Sequence, residues 1–134
     1  MNNVVARFAD GRIVKGVSMN VDITKPACHV RTSDGRMEEV RLADLKALFF
    51  VKSLDGDSAH NEAMAPEAAD PRSRGSIQVE LRFIDGERLV AFANRFPPLG
   101  AFFFLLPVDP KSNNIRMLVN RAQVASIERF THAA

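Results

Sequence analysis

Apolar and polar residues alternate in short runs along this chain, and turn-forming pairs separate the runs. That rhythm predicts β-strands. Val4-Val5-Ala6-Arg7-Phe8 is the first strand, and Asp10-Gly11 is a hairpin turn because glycine accepts positive φ. Arg12 to Ser18 returns as a second strand and Ala27 to Thr32 is a third, closed by the turn Ser33-Asp34-Gly35-Arg36. Met37 to Leu42 is a fourth. Asp44 is placed to cap a helical turn over Leu45-Lys46-Ala47, and a last strand runs from Leu48 to Lys52.

The same series then comes round again. Arg7-Phe8-Ala9-Asp10-Gly11 recurs as Arg82-Phe83-Ile84-Asp85-Gly86, 75 positions later. At the same spacing Cys28 falls on Phe103, Val30 on Leu105, Asp34 on Asp109 and Arg41 on Arg116. Four additional residues after that point bring Leu45 and Leu48 onto Val124 and Ile127. The second series predicts strands over Ile77 to Phe83, Glu87 to Asn94, Ala101 to Pro107, Asn114 to Val119 and Ser126 to Phe130, with Arg121 to Ala125 in place of the helical turn. An internal repeat changes the reading of the whole fold. The expectation is all-β: tandem small barrels of SH3-like or Sm-like layout, one short helical turn in each, arising by duplication. A single β-sandwich or split barrel is the alternative. The units are 3–52 and 77–130, with 53–76 between them as a linker or long loop.

That connector is rich in Ala, Pro, Ser, Gly and Asp and carries five acids against two arginines. The whole chain of 134 residues has a net charge of +2, so the two β units hold 16 basic to 11 acidic residues. Their basic character is modest and an acidic connector masks it. Hydrophobic residues make up 46%, which excludes a wholly disordered chain, and no apolar run is long enough for a membrane helix. The first residues lack a basic start followed by an apolar stretch, so no secretory signal is expected and the cytoplasm is the expected location.

Catalytic chemistry has little to stand on. One cysteine, Cys28, excludes an intrachain disulfide and a multi-thiolate zinc site. Cys28 and His29 are neighbours on a strand and so face opposite ways, as do Glu38 and Glu39. Cys28 stands where the other unit has Phe103, which reads as a core thiol. Asp55-Gly56-Asp57 with Asn61 and Glu62 does not keep calcium-loop spacing, since Ala59 and His60 fall at the fifth and sixth positions. No phosphate-cradling glycine loop is present. No enzyme activity, metal or cofactor is expected.

Two sets of side chains remain as candidates. Phe102, Phe104 and Leu106 alternate with the core positions Phe103 and Leu105, giving an apolar outer stripe where the first unit has Ala27, His29 and Arg31. Such a stripe is expected to be covered by the other unit, a second chain or a partner. Arg7, Arg41, Arg82 and Arg116 are expected to face outward, either paired with acids such as Asp10 and Asp85 or touching an anion or nucleic acid.

The stretch Val40 to Lys52 with Leu54-Asp55-Gly56-Asp57 and Asn61-Glu62, flanked by the two Arg-Phe-x-Asp-Gly segments, resembles an uncharacterised bacterial family that shares these motifs. The resemblance spans nearly the whole chain. It implies no activity, but it makes Leu54 to Glu62 part of the shared pattern. A looser likeness is to Sm-type RNA-binding barrels, whose second-strand bend Gly11-x-x-Val14-x-Gly16 resembles. Their later R-G-x-x-I signature is replaced here by Asn120-Arg121-Ala122-Gln123-Val124, and the elements of PilZ barrels are missing. The resulting expectation is a non-enzymatic adaptor or assembly module with a protein partner or as a homodimer. Single-stranded RNA or DNA binding through the four arginines is the second reading, and no membrane partner is expected.

Overall fold

The predicted alternation is realised in ten strands among the described residues. A computed structural model describes residues 2–56, 60–65 and 70–129, apart from the side chains of Ser73 and Arg74. The strands are β1 (Asn2–Phe8), β2 (Ile13–Ser18), β3 (Ala27–Arg31), β4 (Met37–Arg41), β5 (Leu45–Val51), β6 (Ile77–Phe83), β7 (Arg88–Ala93), β8 (Phe102–Pro107), β9 (Asn114–Asn120) and β10 (Val124–Arg129). Phe130, the predicted end of the last strand, lies outside the described residues. Both Arg-Phe-x-Asp-Gly segments turn tight hairpins, β1–β2 and β6–β7. In each the glycine takes positive φ, 93° at Gly11 and 94° at Gly86. The preceding aspartate accepts the amide two residues on, Asp10 from Arg12 and Asp85 from Glu87, both at 2.9 Å.

The strands form one antiparallel sheet in the order β10-β6-β7-β8-β9-β5-β1-β2-β3-β4. This sheet does not close on itself; β4 and β10 are its edges. Two separate closed barrels were expected, and the difference lies at the centre. There β5 and β9 pair along Ala47↔Val119, Leu48↔Leu118, Phe49↔Met117 and Phe50↔Arg116, welding the halves into one sheet. Each half nonetheless has the same internal order, with its last strand beside its first.

A short 3₁₀ turn precedes the last strand of each half, Leu42–Asp44 and Arg121–Gln123. The first sits earlier than the sequence suggested. Asp44 ends this turn rather than capping it, and Leu45, Lys46 and Ala47 already belong to β5. Hydrogen-bond registers also move the four additional residues of the second half. Ala27 faces Arg41 as Phe102 faces Asn120, so Asn120 rather than Arg116 holds the place of Arg41. The insertion therefore lies before β9, in the loop over residues 108–113.

Two cores lie on opposite faces of the shared strands. The first gathers Val4, Ala6, Phe8, Cys28, Val30, Val40, Leu48 and Phe50, together with Leu118 from β9. The second gathers Val79, Leu81, Phe83, Phe103, Leu105, Met117 and Val119, with Phe49 of β5 packed against it. Successive side chains of a strand point to opposite faces. Here Leu118 serves one half while Met117 and Val119 serve the other. This explains why β5 is apolar on both sides instead of alternating.

Polar contacts reinforce the joint. Lys46, only 6% exposed, pairs with Asp85 at 2.7 Å and with Glu87, and its Nζ lies 4.6 Å from the centre of the Phe83 ring. Arg7 reaches Glu87 at 3.4 Å, and the Asn120 side-chain amide donates to the Leu45 carbonyl at 2.8 Å. The β6–β7 hairpin of the second half is thereby held against β1 and β5 of the first.

Candidate functional site

The apolar stripe on β8 is divided among three environments. Phe102 packs on the first core, and Leu106 packs on Val90, Phe92 and Val108. Phe104 remains 36% exposed and stands 6.1 Å from the Phe50 ring. The Arg116 guanidinium caps both rings, 4.3 Å from Phe50 and 4.7 Å from Phe104. Much of this stripe is therefore covered within the chain.

The four arginines do not converge. Arg7 pairs with Glu87, Arg82 lies 3.7 Å from Glu80, and Arg41 is exposed on the edge strand β4. In the shared sheet Arg7 stands opposite Ala47 and Arg116 opposite Phe50, so these two project from opposite faces.

An apolar groove forms elsewhere, on the outer face of the first half. Strands β2 and β3 pair only at Val17↔Arg31. They cross closely at Gly16, where a Cβ would lie 2.1 Å from the Arg31 carbonyl oxygen. Beyond that crossing the strands separate around a cavity of about 520 Å³ lined by Val17, Met19, Asn20, His29, Arg31 and Met37. Met19 is 81% exposed and Met37 57%. Asn20 holds the far side, accepting the His29 amide at 2.9 Å and meeting the His29 ring at 3.1 Å. The available sequence signal was register. If Cys28 and Val40 face the core, then His29, Arg31 and Met37 face out.

A polar cluster lies where the connector meets the loop over residues 108–113. Asn113 exchanges hydrogen bonds with Ser53, accepting its amide at 3.0 Å and donating to its carbonyl at 2.8 Å. Asp109 is 4% exposed and accepts from the amides of Ala63 and Lys111, both at 2.8 Å, and meets the His60 Nε2 at 2.7 Å. The Ala63 amide, with further hydrogen bonds from Lys111 and His60, holds the Asp109 carboxyl below its usual range despite burial. Glu62 lies 3.9 Å from the same His60 nitrogen. Further along, Arg72 pairs with Asp70 at 2.7 Å and donates to the Pro107 carbonyl at 2.9 Å. Residues read as a linker are thus tied to the second half's enlarged loop.

Among the described residues, no helix is long and apolar enough to cross a membrane. No curated protein and no solved structure matches the chain. Residues 1–131 match a family of unknown function (DUF6982), and the chain belongs to that family.

Proposed function

We propose that this protein is a non-enzymatic protein-interaction module built from two copies of one five-stranded, small-barrel-like unit. The shared strand order, the repeated first hairpin and the 3₁₀ turn before each last strand support the duplication. The partner contributes an extended segment that adds to the free edge of β4 and seats apolar side chains in the neighbouring groove. The carrying observation is this groove itself, with Met19 and Met37 exposed beside the edge strand β4. Main-chain pairing supplies affinity in such a mode, and pockets for alternate side chains supply selectivity. Methionine suits the task because its unbranched thioether adapts to different side chains.

Capture from a nuclease-treated lysate, followed by binding measurements with the purified partner segment, tests the reading. Met19→Glu and Met37→Glu are expected to abolish binding while the circular-dichroism spectrum stays unchanged. Binding that survives both changes overturns the assignment of the groove. A salt-sensitive nucleic-acid complex that nuclease destroys overturns the adaptor reading altogether.

A further inference from the structure

We propose that His60, Glu62 and Asp109 bind one divalent transition-metal ion. The site stands apart from the methionine groove and does not depend on the partner reading. The His60 Nε2, a Glu62 oxygen and an Asp109 oxygen all lie within 4.8 Å of one another. Zinc–ligand bonds of about 2.0–2.2 Å place donor atoms around a tetrahedral ion about 3.3 Å apart. The two separations from His60 straddle that value, 2.7 Å to Asp109 and 3.9 Å to Glu62, and Glu62 and Asp109 lie within 4.8 Å of each other. A small opening of the first and a small closing of the second seats the ion between them. Glu62 is exposed, and its carboxylate already faces the His60 ring.

The donor set is chemically coherent. One imidazole and two carboxylates suit zinc and its first-row neighbours rather than a thiolate-seeking ion. The Ala63 and Lys111 amides orient the buried Asp109 carboxylate, the kind of support that bound metals receive from the groups around their ligands. An adjoining cleft of about 300 Å³, lined in part by Ser53, Ser112 and Asn113, leaves room for water or a small anion to complete the coordination sphere. The ion takes the His60 Nε2 lone pair, so a proton there shifts to Nδ1 if the ring is neutral and passes to solvent if the ring is doubly protonated. The ion then fastens the connector to the loop before β9, joining positions 49 residues apart.

Untagged protein, freed of metal with a chelator, is titrated with zinc chloride by calorimetry and by competition with a chromophoric chelator. One zinc per chain is expected. His60→Ala and Glu62→Gln should each weaken binding about tenfold or more, while His29→Ala should leave it unchanged. Because the Glu62 side chain is exposed, Glu62→Gln retains the fold if His60→Ala does not. Absence of stoichiometric uptake, which leaves only a His60–Asp109 hydrogen bond, overturns the proposal. So does uptake that Glu62→Gln leaves at full strength.

Discussion

Leu118→Ala tests whether the two halves share their interior. Leu118 belongs to β9, yet its side chain is 2% exposed within the first half's core. The substitution removes three buried carbons. At about 0.8 kcal/mol each, the transfer contribution is about 2.4 kcal/mol. Incomplete collapse around the vacancy raises the expected loss to about 3–4 kcal/mol. For a chain of this size that lowers the melting temperature by about 10–15 °C. Urea denaturation followed by circular dichroism measures the loss, and amide hydrogen exchange locates it. Protection should fall in β1, β3 and β5, which precede Leu118 by half the chain or more. Exchange changes confined to β6–β10, or a loss under about 1 kcal/mol, would refute the interlocked-core argument.

Gly16→Ala should destabilise by about 2 kcal/mol or more in urea, because its Cβ would meet the Arg31 carbonyl at 2.1 Å; an unchanged midpoint contradicts the close crossing. Lys46→Met removes the main hydrogen bond that holds the Asp85 carboxyl below its usual value, ahead of the Glu87 amide. An NMR titration should show that carboxyl returning toward the ordinary range. A depressed carboxyl stabilises the fold above about pH 3.9, its unfolded value, and the benefit disappears as pH falls through the folded one. Lys46→Met should therefore flatten the acid limb of the stability profile. Burial pushes the Cys28 thiol up, so it should react with a disulfide reagent only on unfolding; rapid labelling of the native protein would contradict its place in the core.

Local chemistry was legible and shared chemistry was not. Asp10-Gly11 and Asp85-Gly86 declared their hairpins because each turn is decided by neighbouring residues. Arg41 and Arg116 misled, since an identical residue at constant spacing concealed an insertion that lies before β9. Phe102 and Phe104 announced a strand apolar on both faces, but a single strand cannot say which neighbour covers its second side. The pairing of His60 with Asp109 spans 49 residues and arises from a segment whose composition reads as linker. The groove depends on where β2 and β3 part, which only the crossing at Gly16 determines.

The central joint also bears on whether such molecules string together. It pairs the last strand of one half with the fourth strand of the other, leaving one strand of each kind unused at the outer edges. Head-to-tail addition of copies through those edges would have no built-in stopping point and would give a filament unless the rotation closed a ring. Charge disfavours a copy of the internal register. Laid in the alignment of the internal joint, β10 would set Glu128 against Glu38 of the incoming chain, where Phe49 faces Met117 inside the molecule. Arg82 would approach Arg12, where Arg7 meets Glu87. Ala125 would stand in the place of Lys46. Facing like charges disfavour pairing, and charged edge strands resist unwanted extension. The register that unites the halves within a molecule is thus disfavoured between molecules.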